Sequence, residues 1–192
     1  MKTLRPLVLT AAFAATSLVA QPAKHAHSTG GHSPHETTSA VIGDRRTGDR
    51  VTVTYGRPFT ADPKTGEPRK IWGALVPWDQ PWRLGADEAT LLITQQPIVF
   101  GETTIPAGAY TLYLTPSENS PTKLVFSTNL GKWGIPVDTQ HDFASVAMTK
   151  SALGEPVNEL TINVENDKAA GGGVLRIKWE STEFSAPFTV AK

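Results

Sequence analysis

Beyond residue 37, apolar and polar residues alternate with a period of two through most of the chain. Val51, Val53 and Tyr55 interleave with Thr52 and Thr54. Successive side chains of a strand point to opposite faces, so this pattern predicts a half-buried β-strand. The same texture recurs at Leu91 and Ile93, at Tyr110, Leu112 and Leu114, and at Leu160, Ile162 and Val164. It returns at Leu175, Ile177 and Trp179, and again at Phe184, Ala186, Phe188 and Val190. Short apolar runs at 98–100, 124–127 and 143–148 predict further strands. Turn-forming clusters such as Pro106-Ala107-Gly108 and Asn129-Leu130-Gly131 separate them. Segment 157–164 is expected to form a hairpin with 174–181, with Gly171, Gly172 and Gly173 in its loop. The body shows no sustained 3.6-residue period. The prediction is an all-β, mainly antiparallel β-sandwich, jelly-roll or immunoglobulin-like in style.

Residues 56–87 break the pattern. Thirty-two residues with little strand texture are long for a connection in a compact domain, and such loops tend to carry function. The second half of this loop holds Trp72, Trp78 and Trp82, two Pro-Trp pairs and the polar sequence Arg83-Leu84-Gly85-Ala86-Asp87-Glu88.

At the other end, Lys2 and Arg5 precede a 14-residue apolar run over 7–20 that ends in small residues. The run is too short to span a bilayer, so residues 1–20 read as a cleaved signal peptide and the protein as periplasmic or secreted, with no membrane span after cleavage. Residues 21–36 are rich in Gly, Ser, Pro and His and read as a disordered linker. The single β-domain is then expected over 37–192. Four of the five histidines, His25, His27, His32 and His35, fall in the linker. Neutral imidazoles there offer a loose site for Cu, Zn or Ni, against the alternative of a solvated tail.

Composition narrows the chemistry. Cysteine is absent, which excludes disulfides, thiolate metal sites and a cysteine nucleophile. Basic and acidic residues number 18 each, and removing Lys2 and Arg5 with the leader leaves a net charge of −2. A basic stripe of the kind nucleic-acid binding requires is not present. The familiar hydrolase, zinc-protease, phosphate-loop and dinucleotide motifs are also missing.

The candidate chemistry lies in the 56–88 loop. Arg57 and Arg83 offer bidentate donors for an anionic or carboxylate-bearing ligand, and Asp87 or Glu88 an acid, base or acceptor. Trp72, Trp78 and Trp82 offer flat faces on which a sugar ring stacks. Each has a structural alternative. Arg83 could instead bond loop carbonyls and pin the loop, and the tryptophans could fold inward as the loop's own core. If Asp87 and Glu88 continue the strand that follows, their side chains diverge and only one can share a site with Arg83. His141, the one histidine of the body, stands beside Asp142 and is a further candidate base.

Several of these residues also carry a resemblance. Tyr55-x-Arg57-Pro58, Arg69-Lys70-Ile71-Trp72-Gly73, Leu75-Val76-Pro77, the block Trp82-Arg83-x-Gly85-Ala86-Asp87-Glu88-Ala89-Thr90, Pro106-Ala107-Gly108-Ala109-Tyr110, Trp133-Gly134 and Pro187-Phe188 resemble a bacterial exported family, domain-of-unknown-function family 2911. The similarity covers residues 37–190. It departs from the family pattern at Asp87, where the family has asparagine, at Trp78, where it has tyrosine, and in a longer 60–68 segment. The resemblance implies an exported β-domain and assigns no activity.

Three functions stand as expectations. The first is a non-catalytic binding module whose site includes Arg57, Trp72, Trp78, Trp82, Arg83, Asp87 and Glu88, with a glycan or another small polar molecule as ligand. The second is an envelope- or sugar-directed hydrolase using Asp87 or Glu88. The third is metal binding through the histidine tail.

Overall fold

In the computed structural model, which describes residues 33–167 and 171–191, the period-two segments become nine antiparallel strands. They are β1 (His35–Ile42), β2 (Asp49–Gly56), β3 (Thr90–Thr94), β4 (Ile98–Phe100), β5 (Thr103–Ile105), β6 (Gly108–Thr115), β7 (Thr122–Ser127), β8 (Asp142–Asp167) and β9 (Gly172–Val190). A single 3-10 turn, Thr139–His141, precedes β8. The strand order is β1-β2-β3-β6-β7-β8-β9-β4-β5. The strand β1 begins at His35, so His35 and Glu36, placed in the linker by their composition, are strand residues paired with Gly56 and Tyr55.

The two longest strands set the shape. Up to Met148, β8 pairs with β7; from Thr149 it pairs with β9. Register shifts between Ala152 and Thr161 accompany this passage. Bulges of this kind bend a strand and let it leave one layer for another. The sheet therefore folds over on itself, and its inner faces bury Val51, Val53, Leu92, Leu112, Phe126, Ile162, Ile177 and Phe184 in one core. The expected hairpin is present, with Val157 opposite Glu180 and Val164 opposite Leu175.

The free edge of the second half of β8 is closed by side chains and loop backbone. The buried Tyr55 hydroxyl accepts the Ile162 N–H at 2.8 Å. Asn166 donates to the Val41 carbonyl at 2.9 Å. Pro58 and Thr60 of the long loop pair with Leu160 and Asn158. Edge groups that would otherwise be orphaned are thus satisfied.

Tyr55→Phe leaves the Ile162 N–H unpaired and is expected to lower stability by about 1–3 kcal/mol in urea denaturation. Burial raises the Tyr55 pKa well above its ordinary value of 10.0. A raised pKa stabilises the fold fully below the unfolded value and loses that contribution as pH rises past it. Wild-type stability should therefore fall above pH ~10, and Tyr55→Phe should flatten that decline.

Candidate functional site

Residues 56–87 run over one end of the folded sheet and are held at both sides. Trp82 exchanges two backbone hydrogen bonds with Leu114 of β6, at 2.7 and 2.8 Å. On the other side, Phe59 bridges Glu159 of β8. Arg57 fastens the start of the loop. Its guanidinium meets Glu36 at 3.0 Å and Glu159 at 3.3 Å, and donates to the Leu160 carbonyl and the Thr161 hydroxyl, each at 3.0 Å. With its side chain 13% exposed, Arg57 is a clamp between β1, the loop and β8.

The tryptophans form a cluster around Trp72. Its ring centroid lies 6.2 Å from Trp78, 6.1 Å from Trp82, 6.2 Å from Trp179 and 5.1 Å from Phe184. Gly73 makes this packing possible: its φ is +76°, and a Cβ there would stand 2.6 Å from Trp78 Nε1. Trp72 is buried core. Trp78 stacks on Trp72 and has the Lys150 ammonium 4.7 Å from its ring centre. Trp82 stacks on Trp179 at 5.6 Å and stays half-buried. The three rings are thus packed against the core and one another.

Backbone strain gathers beside them. Asp79, Leu84 and Asp87 are non-glycine residues with φ of 57°, 57° and 62°. A left-handed conformation costs a non-glycine residue about 1 kcal/mol or more, and such positions tend to cluster at functional sites. Arg83 holds the turn by donating to three carbonyls, those of Gly85 at 3.2 Å, Asp87 at 2.6 Å and Trp133 at 3.3 Å. Burial moves the Arg83 pKa below its ordinary value, while the nearby Asp87 and Glu88 carboxylates oppose that shift. The structural alternative for Arg83, bonding to loop carbonyls, is what is observed.

Asp87 and Glu88 precede β3 rather than lying in it. The left-handed turn at Asp87 removes the strand alternation, and both carboxylates face His35. Its Nε2 is 2.8 Å from Glu88 and 4.0 Å from Asp87. The Glu88 carboxyl sits below the usual carboxylate range, chiefly through its own backbone N–H and then through His35. His141 pairs with Asp138 at 2.8 Å. Of the four tail histidines, His25, His27 and His32 lie outside the described residues. Among the described residues, no group of three or more His, Asp and Glu is arranged to hold a metal ion.

One concave feature of this end is a cleft of about 660 Å³ between the loop and residues 135–137; neighbouring hollows lie on the other side of Arg83 and beside His35 and Glu88. Phe59, Leu75, Trp82, Trp179 and Val137 supply apolar wall, and Arg69, Arg83 and Asp87 supply charge. Among the described residues, five fully covered side-chain atoms lack a hydrogen-bond partner in the protein, and three of them belong to residues that line the cleft: Arg69 Nε, Asp87 Oδ2 and Trp179 Nε1. Arg69 donates through Nη2 to the Phe59 carbonyl, which fixes the direction of its fork. Across the cleft, the 130–138 segment is apolar and exposed, Trp133 at 51% and Ile135 at 63%. It rests on Arg83 and Ala89 at Gly134, where a Cβ would meet both side chains at 3.1 Å.

Trp82, Arg83 and Asp87 therefore come together in the cleft, whereas Arg57, Trp72, Trp78 and Glu88 do not line it. Arg69, Trp179 and residues 135–137 line it without having been read as site residues. The signals for them were Arg69 at the head of the tryptophan-rich stretch and the Trp133-Gly134 pair ahead of Pro136. No curated protein and no solved structure matches the chain. A family described as "Protein of unknown function (DUF2911)" matches residues 33–188, more than three quarters of the sequence, and the chain belongs to that family.

Proposed function

We propose that the protein is a non-catalytic binding module that works outside the cytoplasm and takes a small molecule into the cleft beside Trp82, Arg83 and Asp87. The observation that carries this reading is the concave surface itself, where the apolar side chains of Phe59, Leu75, Trp82 and Val137 meet the charged side chains of Arg69, Arg83 and Asp87. An apolar wall with a few convergent polar groups is also the common make-up of small-molecule sites. The ligand has a flat face for the apolar wall and polar edge groups, as a glycan unit does.

The test is a thermal-shift screen of small glycosides, organic acids and amides on wild type and on Leu75→Trp. Leu75 is exposed at the cleft rim, so the larger ring obstructs the mouth without entering the core. Compounds that raise the wild-type melting temperature by a few degrees should leave the variant unmoved. Equal shifts in both proteins would move the site elsewhere.

A second reading is hydrolysis of an envelope or sugar substrate. The contact of both Asp87 and Glu88 with His35 favours it, because a histidine beside a carboxylate can serve as an acid–base pair. Turnover of chromogenic glycosides by wild type and its loss in Glu88→Gln would support this reading; no turnover by wild type would remove it for those substrates.

A further inference from the structure

The charge of the cleft narrows the chemistry of its ligand. Three charged residues line it, Arg69, Arg83 and Asp87. Asp87 has its ion contact with His35 at 4.0 Å. The cleft lining thus presents two guanidinium groups and one carboxylate, with the Glu88 carboxylate acting on Arg83 and the Asp62 carboxylate on Arg69 from outside the lining.

Both guanidinium groups are anchored in part. Arg69 uses Nη2 on the Phe59 carbonyl, and Arg83 uses Nε and Nη1 on backbone carbonyls. Anchoring fixes the planes of both groups, and the nitrogens outside these bonds, Arg69 Nη1 and Arg83 Nη2, are the ones left to donate to the oxygens of a carboxylate. The apolar walls lower the local dielectric, so a charge pair formed there is stronger than at an open surface. Trp82, held by its stack on Trp179, is set at a fixed angle for a flat group to lie against.

We infer that the ligand of this cleft bears a single carboxylate beside a flat apolar face, with the carboxylate received by Arg69 and Arg83. The inference rests on the binding reading above and sharpens it. Two sources share this chemistry, an acidic sugar and an aromatic acid.

The experiment uses two matched pairs in calorimetry at low salt: glucuronate with glucuronamide, and phenyllactate with phenyllactamide. Each pair keeps the body and changes the charge. In at least one pair the acid should bind wild type about tenfold or more tighter than its neutral partner, since a hydrogen bond to a charged group is worth about 1.5–3 kcal/mol. Which pair responds identifies the source. Arg69→Gln should remove the difference, and a melting temperature close to that of wild type reports that the variant remains folded. Arg69→Lys, which keeps the charge without the fork, should fall between.

Equal affinity for acid and neutral members in wild type would overturn the carboxylate inference while leaving the cleft as a binding site. An acid preference that survives Arg69→Gln would overturn the assignment to this cleft. Failure of all four compounds to bind would also overturn the inference. The broader screen with Leu75→Trp then judges the binding reading separately.

Discussion

Replacing Trp72 with alanine is expected to cost about 3–5 kcal/mol of folding stability, read as a large fall in the urea midpoint. The ring is buried and touches Trp78, Trp82, Trp179 and Phe184, so truncation opens a cavity bounded by four aromatic rings. Of those neighbours, Trp82 and Trp179 are stacked on each other and have little freedom to close over the gap. A loss of this size is a large share of the stability of a typical domain. Trp133→Ala makes the comparison: with half of its surface exposed, it should change stability by at most about 0.5–1 kcal/mol. If Trp72→Ala lost less than about 1 kcal/mol, the packing described for the loop would be wrong.

Arg57→Ala should be the second most damaging change, at about 2–4 kcal/mol. The side chain joins three parts of the fold, with Glu36 on β1, Glu159 and Leu160 on β8, and its own backbone bonded to Pro34. Removing it leaves two carboxylates close together without their cation and the Leu160 carbonyl without its donor. Arg57→Lys keeps the charge but loses the fork that reaches Leu160 and Thr161 together, so it should recover only part of the loss. Binding in the cleft should survive in whatever fraction of Arg57→Lys remains folded, because Arg57 does not line it. Lost binding in fully folded protein would return Arg57 to the site.

These two residues show how the sequence could be read correctly as to place and not as to role. Period-two alternation marked the strands because each has one face in the core. The alternation Val51, Val53, Tyr55 corresponds to buried residues throughout. The same signal predicted two strands over 143–148 and 157–164, where the structure has one long β8. The polar stretch between them is largely exposed, and it continues as strand because it pairs with β9, a long-range fact that local texture does not contain.

The 56–87 loop stood out by its lack of alternation and its tryptophans. Whether those rings faced in or out depended on Trp179 and Phe184, 97 to 112 positions away in sequence. Likewise, the condition for Asp87 and Glu88 to diverge, a strand continuing through both, is not met, because Asp87 adopts a left-handed backbone, a conformation common enough for aspartate but not announced by any glycine at that position. His35 joined them because β1 starts two residues earlier than composition implied. The cleft itself was not legible, since its other wall is the 130–138 segment, brought across by the fold and resting on Arg83 at Gly134.

The central claim is that this cleft receives a ligand, and the five tryptophan indoles offer a direct test. Their N–H signals in a nitrogen-15 spectrum can be assigned by single Trp→Phe substitutions and followed while glycosides, organic acids and amides are added. Trp82 and Trp179 line the cleft, whereas Trp78 lies against Trp72 and Lys150 outside it. The account predicts that a binding compound moves the Trp82 and Trp179 signals together, saturably, and leaves Trp78 in place. Shifts confined to Trp78 or Trp133, or none across the collection, would contradict it.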